Sequence, residues 1–466
     1  MRRAGLLDSA RRIAPLAWPV FLGQVAVLAF ATIDTMLVAR YGAVDLAALA
    51  IGGAAYVTVF VGLMGVVLAV GPIAGQLFGA GLLRDCGRQL HQAMWLALGL
   101  SVIGCTVLLF PQPFLSLAHA GPEVSTKVRA HLAALAVALP AALLFTAFRG
   151  FNNAVSRPRI VMALQLGALL LKLPLTALLV FGWHWTTPLG PVDVAALGAP
   201  GCGIATAAVM VVQMLVALRV LQRDPFYVPF GLRSGFAAPQ RKNIIALLRL
   251  GIPMGLSIAI EVTGFTFMAF FISRLGATPV AGHQVAVNLV SLMFMMPLAI
   301  GNASSTLVAQ RVGAADPADA RRVGWHGLEL GLLIAAVMGT AVYALRGPIL
   351  RLYTNDPVIV SAALPLLAWV AVSHIADAAQ TIAAFVLRAY RRAVAPLVIY
   401  AVAIWGVGLG GGYLLAFDSI GLAPAALQGS QGFWSAATAG LVVAGSGMSL
   451  YLRGVLRQQR RASLAG

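Results

Sequence analysis

Residues 250–272 read LGIPMGLSIAIEVTGFTFMAFFI, an apolar run of 23 residues whose one charged side chain is Glu261. About 20 helical residues cross the roughly 30 Å hydrocarbon core of a bilayer, so this run is long enough to span a membrane. A carboxylate inside such a helix is costly unless it is paired, protonated or in contact with water. The stretch therefore predicts a membrane helix that retains an acidic group at a cost in stability.

The rest of the chain has the composition of a protein that crosses a bilayer many times. Of its 466 residues, 60% are hydrophobic and 10% are charged, whereas a soluble protein carries about 25% charged residues. Twelve apolar runs are centred near Val27, Met64, Gly99, Val137, Leu170, Ala208, Val262, Phe294, Ile334, Val370, Ile404 and Val443. We therefore expect an all-α integral membrane protein with twelve transmembrane helices.

Basic residues are concentrated in alternate loops between these runs. One set of loops contains Arg84, Arg149, Arg219, Arg321 and Arg388 with further basic neighbours, and both termini lie on the same side. Lysine and arginine accumulate on the cytoplasmic side of membrane proteins, so both termini are predicted to be cytoplasmic. Membrane lipid with anionic headgroups accounts for the net charge of +18, and we expect no nucleic-acid partner.

The sequence also divides into two related halves. A polar segment between Arg219 and Asn243 separates the sixth apolar run from the seventh, and we place the division at 1–230 and 231–466. A shift of 234 positions pairs Pro19 with Pro253, Gly42 with Gly276, Ala43 with Ala277, Gln76 with Gln310 and Gly79 with Gly313. Six spans per half give both halves the same orientation, which predicts two pseudo-symmetric six-helix lobes related by an axis along the membrane normal.

Two acids of the second half are predicted to lie at the same depth. Glu261 lies 12 residues after Arg249, near the start of its span. Asp377 lies 11 residues before Arg388, near the end of its span. At about 1.5 Å per residue, both are roughly 16–18 Å from the cytoplasmic boundary. Such a pair would share a proton or a hard cation such as Na⁺, with Ser373 as a further oxygen ligand; the alternative is that each acid is separately hydrogen-bonded and structural.

The spans of the first half contain an acid and a lysine. Asp34 lies in the first span, and Lys172 lies in the fifth, 13 residues after Arg159. A lysine inside a membrane protein has to pair, deprotonate or contact water. We therefore predict a salt bridge between Lys172 and Asp34; the alternative is that Lys172 faces a wet cavity alone.

Three further polar residues are candidates for lining a cavity: Gln24, Gln284 and Asn288. Hydrogen bonds between helices are the alternative role for each of them. Asp45 falls in an outer loop and is expected to be solvated.

Nothing in the sequence indicates an enzyme. No HExxH or GxSxG motif is present, and Cys86, Cys105 and Cys202 lack the spacing of a zinc site. Ser373 and His374 make a poor nucleophile–base pair, because adjacent residues of a helix point about 100° apart. We expect no cofactor and see no sign of an obligate protein partner.

Motifs in both halves resemble those of one family. The first half carries Pro19, Gln24, Ile33-Asp34-Thr35 and Gly75-Gln76-Leu-Phe-Gly79; the second carries Gly251-Ile-Pro253, Glu261, Gly282-His283-Gln284, Asn288, Ala309-Gln310-Arg311, Asp377 and Leu387-Arg388-Ala-Tyr390. Together they resemble the MATE (multidrug and toxic compound extrusion) family, in its NorM branch, over essentially the full chain.

The resemblance implies a secondary active antiporter of the bacterial inner membrane. Such proteins export small organic cations or drugs in exchange for Na⁺ or H⁺ by alternating access. Glu261 and Asp377 match the cation-site acids of the second lobe, and Asp34 matches a first-lobe carboxylate implicated in coupling or drug binding. The alternative is a lipid-linked oligosaccharide flippase of a related branch, although those proteins usually have more helices and basic cavities.

Two positions depart from the pattern of that family. Relatives often have a tyrosine one turn before the acid of the tenth span, where this chain has Ser373. Relatives also often carry Asn-x-Pro-x-Asn in the fifth span, where this chain reads Lys172-Leu-Pro174-Leu-Thr176. Lysine in place of an amide argues against conventional cation binding in the first lobe.

Overall fold

Long apolar helices form nearly all of the structure, a computed structural model that describes residues 2–118, 121–187, 190–233, 235–419, 421 and 423–465. Among these residues, twelve helical segments are long and apolar enough to cross a membrane. Each of them contains one of the twelve centres predicted from the sequence. The prediction of an all-α protein with twelve transmembrane helices is therefore confirmed.

The described part of the first half contains eight α-helices, seven of which form its six spans. They are α1 (Arg2–Tyr41), α2 (Ala43–Val67), α3 (Val70–Gly79), α4 (Leu83–Leu109), α5 (Gln112–Ala118), α6 (Pro122–Ala154), α7 (Pro158–Phe181) and α8 (Ala199–Arg223). Helices α2 and α3 together form the second span, and α5 is a short helix between spans. Pro122 and Pro158 stand at the start of α6 and α7, where a backbone N–H is not needed for the helix.

The last six spans follow a similar course. They contain α9 (Arg241–Ser273), α10 (Ala277–Gly313), α11 (Pro317–Ala344), α12 (Arg346–Tyr353), α13 (Pro357–Ala389), α14 (Val394–Tyr400), α15 (Gly411–Ala416) and α16 (Ser430–Ala465), with a short 3₁₀ helix at Ala425–Leu427. Asp316 and Asp356 cap α11 and α13, because each side chain accepts a hydrogen bond from a backbone N–H of the first turn.

The eleventh span is interrupted by a π-helix, Ala401–Gly410, which joins α14 to α15. Such wide turns are rare and usually short. Trp405 of this segment donates its indole N–H to the carbonyl oxygen of Ile260 in α9, at 3.2 Å. The π-helix is thereby attached to α9 one residue before Glu261.

A short hairpin in the loop between α7 and α8 is a departure from the helical architecture. Its strands, β1 (Trp183–Thr187) and β2 (Gly190–Val194), pair antiparallel with Trp183 opposite Val194. Strands of five residues in a loop carry too weak a pattern to be separated from the loop by sequence alone.

The polar segment after α8 is folded against the first half of the chain. A 3₁₀ helix, Pro225–Phe230, follows Asp224, whose Oδ1 accepts a hydrogen bond from the backbone N–H of Phe226 at 2.9 Å. That N–H is the main reason that the pKa of Asp224 lies below its usual range. Tyr227 is fully buried and donates its hydroxyl to Asn152 of α6. The polar segment between the two halves of the sequence is therefore attached to α6.

Residue contacts group the chain into two compact units. The first unit comprises Met1–Phe21, Phe78–Gly81 and Leu256–Gly466, and the second comprises Leu22–Leu77 and Leu82–Gly255. Helices α1 and α9 each contribute residues to both units. The division into halves at residue 230 remains a prediction.

One helix lies at the centre of each unit. In the first unit, α13 packs against α10, α11 and α16, and Ile382, Val386 and Leu387 have no exposed surface. In the second unit, α6 packs against α2, α4 and α8. These are the tenth and fourth spans, which occupy equivalent places in the two halves.

Asp319 fixes the beginning of α1 within the first unit. Arg12 of α1 donates to both carboxylate oxygens of Asp319, at 3.1 and 2.9 Å. Arg311 of α10 and Arg322 of α11 bind the same carboxylate at 2.9 and 2.7 Å. One acid at the start of α11 thus joins three helices.

Asp45 is buried, so the expectation that it is solvated was wrong. It lies in the first turn of α2 and is 3% exposed. Lys127 of α6 donates to its Oδ2 at 2.5 Å, and the backbone N–H of Ala199 in α8 donates to Oδ1 at 2.9 Å. The sequence shows that Asp45 lies near a helix end, but not that α6 and α8 both begin beside it.

Replacing Asp45 by alanine is expected to lower the free energy of unfolding by about 3 kcal/mol, because it leaves Lys127 and the Ala199 N–H without their partner. The loss is measured as a lower melting temperature of the detergent-solubilised protein. Glu123→Ala removes an exposed carboxylate from the first turn of α6 and is the matched control. Equal melting temperatures for the two variants would contradict a structural role for Asp45.

Candidate functional site

Helices α9 and α13 bring Glu261 and Asp377 to one amide, that of Gln380. The Nε2 atom of Gln380 lies 3.2 Å from Glu261 Oε1 and 2.8 Å from Asp377 Oδ1. The hydroxyl oxygen of Thr381 accepts a third contact from the same nitrogen at 3.1 Å. The structure therefore places the two acids predicted from the sequence in a single cluster, linked by a residue that the sequence reading missed.

This acidic cluster is buried and has an unused acceptor. Asp377 is 7% exposed, Gln380 has no exposed surface, and Glu261 is half-buried. The Oε1 atom of Gln380 has no hydrogen-bond partner among the described residues. An unpaired acceptor inside a protein costs about 1–3 kcal/mol. An amide oxygen is also an oxygen ligand for a hard cation, or an acceptor for the proton of a carboxylic acid.

Among the described residues, no lysine or arginine forms a salt bridge with either carboxylate. Arg388 and Tyr400 are both buried and lie within the electrostatic influence of Glu261. In the part of the chain that the structure describes, Arg388 forms no salt bridge with either acid, and its guanidinium lies 4.6 Å from the ring centre of Phe385. The cluster is therefore an attractive position for a small cation or a proton.

A cation there would draw on neutral oxygens as well as carboxylates. The described residues contain no group of three or more His, Cys, Asp or Glu side chains placed to hold a metal ion. Glu261 and Asp377 supply carboxylate oxygens, while Gln380 Oε1 and the Thr381 hydroxyl supply neutral ones. This all-oxygen set fits Na⁺, which is a hard cation.

The other predicted residues of the second half are not hydrogen-bond partners of this cluster among the described residues. Ser373 is buried one turn before Asp377, but its hydroxyl donates to the carbonyl of Val370 in its own helix at 3.1 Å. Gln284 and Asn288 are exposed on α10 and form no hydrogen bond with the acidic cluster in the described residues. They lie four residues apart and thus on one face of that helix.

In the second unit, Lys172 and Asp34 form the predicted salt bridge. The distance from Lys172 Nζ to Asp34 Oδ2 is 3.0 Å, and the two side chains are 1% and 15% exposed. Lys172 also donates to the hydroxyl of Thr206 in α8 at 2.6 Å. Thr206 in turn donates to the carbonyl oxygen of Cys202, at 3.0 Å. The pairing is confirmed, while Thr206 was missed because nothing in the sequence indicates which residue of α8 faces α7.

Gln24 is held by an arginine inside the second unit. Arg149 of α6 donates to Gln24 Oε1 at 3.2 Å, and its other terminal nitrogen lies 3.3 Å from the sulfur of Met64. The hydrogen bond between α1 and α6 is the alternative role that the sequence left open for Gln24.

Comparison with known proteins places the chain in a family. The MatE family profile matches twice, over residues 19–178 and 253–414. The two matches begin at Pro19 and Pro253, the same prolines that the internal shift of the sequence pairs.

Curated relatives match over nearly the full chain. A probable multidrug resistance protein NorM from Aromatoleum aromaticum is 38% identical over 449 residues, which cover 96% of this chain and 95% of the relative. The multidrug resistance protein PmpM from Pseudomonas aeruginosa is 32% identical, covering 97% of this chain and 92% of the relative.

Solved structures show the same fold. The eukaryotic MATE transporter AtDTX14 superposes with a TM-score of 0.85 at 19% identity, covering 98% of this chain and 99% of that one. The Vibrio cholerae MATE transporter VcmN in its bent form superposes with a TM-score of 0.83 at 17% identity, covering 98% of each chain. The chain is a multi-pass membrane transporter rather than an enzyme, and it belongs to the MATE family, where it is NorM-like.

Proposed function

We propose that this protein is a secondary active multidrug efflux antiporter, which exports organic cations in exchange for Na⁺ or H⁺ by alternating access. The observation that carries the proposal is the acidic cluster of Glu261, Gln380 and Asp377. Among the described residues, neither carboxylate forms a salt bridge, and Gln380 Oε1 has no hydrogen-bond partner. The names of the curated relatives, which are multidrug resistance proteins, support drugs as the exported compounds.

The cluster provides a physical basis for exchange. Two ionised carboxylates held by one amide repel each other, and a bound Na⁺ or proton relieves that repulsion. An organic cation and a coupling cation are both attracted by the same negative charge. Binding of one therefore weakens binding of the other, which is the reciprocal coupling that an antiporter requires.

The proposed location is the inner membrane of a bacterium, with both termini in the cytoplasm. The basic residues in alternate loops support this orientation. The twelve spans are consistent with it, because an even number of crossings returns the chain to the side on which it began.

The test is efflux of a fluorescent organic cation from liposomes that contain the purified protein. A Na⁺ gradient and a pH gradient are imposed separately, and protein-free liposomes are the control. Efflux that depends on one gradient is the expected result and identifies the coupling ion. Efflux that ignores both gradients would indicate a passive pathway, and no efflux under either would favour a lipid-linked oligosaccharide flippase.

A further inference from the structure

We propose that Lys172 is a tethered cation that occupies the cation position at Asp34 and neutralises this carboxylate. While the lysine stays in place, Asp34 takes no free cation, and a small primary ammonium ion fits the position once the lysine is removed. This inference rests on the proposed function, because it assigns the binding of transported cations to the acidic cluster of the second half.

The ammonium group of Lys172 is fully used by its surroundings. It lies 3.0 Å from Asp34 Oδ2 and 2.6 Å from Thr206 Oγ1. The ring centre of Phe30 lies 5.2 Å away, within the range of a cation–π contact. Lys172 has no exposed surface, so no water replaces any of these contacts. A carboxylate, a hydroxyl and an aromatic face together make a complete ammonium site.

The position of the lysine on α7 makes it a strong competitor for that site. Its side chain is attached next to the carboxylate, so its effective concentration far exceeds that of a dissolved ion. A free cation therefore has to displace an ammonium group that cannot diffuse away. The neutral pair also presents no net charge to attract one.

The acidic cluster of the second half lacks such a group. There the side chain between the carboxylates is the neutral amide of Gln380, which leaves both negative charges available. Two halves that share a sequence repeat thus differ in electrostatics: Asp34 has a lysine in direct contact, whereas Glu261 and Asp377 form no salt bridge among the described residues. Lys172 is the residue that creates this difference.

Chemical rescue of Lys172→Ala tests the inference. This substitution removes a propylammonium group, and n-propylammonium added to the buffer would refill the space and pair with Asp34. We expect Lys172→Ala to bind about one more n-propylammonium per protein than the wild type in equilibrium dialysis, with a rise of its melting temperature by several degrees. Lys172→Ala/Asp34→Asn should bind no more n-propylammonium than the wild type, and n-propanol, which has the same shape without the charge, should not replace the amine.

Several outcomes would overturn the inference. They are equal binding to wild type and Lys172→Ala, excess binding that persists in the double variant, or equal stabilisation by n-propanol. Lys172→Ser is the second variant, and a protein that can be purified only with n-propylammonium present counts as rescue. Because binding is measured in detergent without a gradient, its result is independent of the efflux assay, and failure of either proposal is recognised separately.

Discussion

Asp377→Asn is expected to abolish gradient-driven efflux, with a fall in the transport rate of about 100-fold or more. The substitution keeps the size of the side chain but removes one of the two charges of the acidic cluster. A loss of about 3 kcal/mol in cation binding corresponds to roughly that factor. Asp377 is buried and forms no salt bridge in the described part of the chain, so water screens the lost charge only weakly. The measurement is efflux of the fluorescent cation from liposomes under the gradient that drives the wild type.

Glu329→Gln is the matched control for this variant. Glu329 lies in α11 of the same unit but is exposed, so neutralising it should leave efflux within about a factor of two. If Asp377→Asn retained gradient-driven efflux, the coupling site would have to be sought at Asp34 and Lys172 instead. An equal loss in both variants would indicate a general effect of charge.

Asp34→Asn is expected to destabilise the protein by about 3–5 kcal/mol, because it leaves the ammonium group of Lys172 buried without a counter-charge. Asparagine still accepts a hydrogen bond, but it does not compensate a charge inside the second unit. The effect is measured as a lower melting temperature and a smaller monodisperse fraction after purification in detergent. Asp8→Asn, at an exposed position of α1, should leave both unchanged.

The double variant Asp34→Asn/Lys172→Met separates the charge pair from other roles of Asp34. It removes both charges and keeps a flexible apolar side chain of similar length, so most of the lost stability should return. A double variant as unstable as the single one would contradict a simple ion pair. Wild-type stability in Asp34→Asn would contradict the burial of Lys172.

The twelve spans were predictable because each depends on the length of an apolar run. The salt bridge was predictable because a lysine inside a membrane protein needs a counter-charge. Each span is defined by a run of residues within the chain, and the lysine at residue 172 has few possible partners inside the membrane. Depth arguments placed Glu261 and Asp377 at one level, and the structure brings both to Gln380.

The partners that sequence reasoning missed are neutral or lie near helix ends. Gln380 lies three residues after Asp377 and shares its helix face, which is a signal that was available. Thr206 and Arg149 have no such signal, because their contacts depend on how separate helices are rotated against each other. Asp45 shows the same limit: hydropathy locates the end of a helix but not the neighbours that pack over it.

The two ion pairs of α1 differ in their dependence on ionic strength. Arg12 and Asp319 are 28% and 12% exposed, and the other arginines on that carboxylate are about half exposed. Dissolved ions reach such groups, and at 1 M salt the Debye length shrinks to about 3 Å. Lys172 and Asp34, which are 1% and 15% exposed, are largely shielded from them. Salt therefore loosens the beginning of α1 while leaving its last third attached at Asp34.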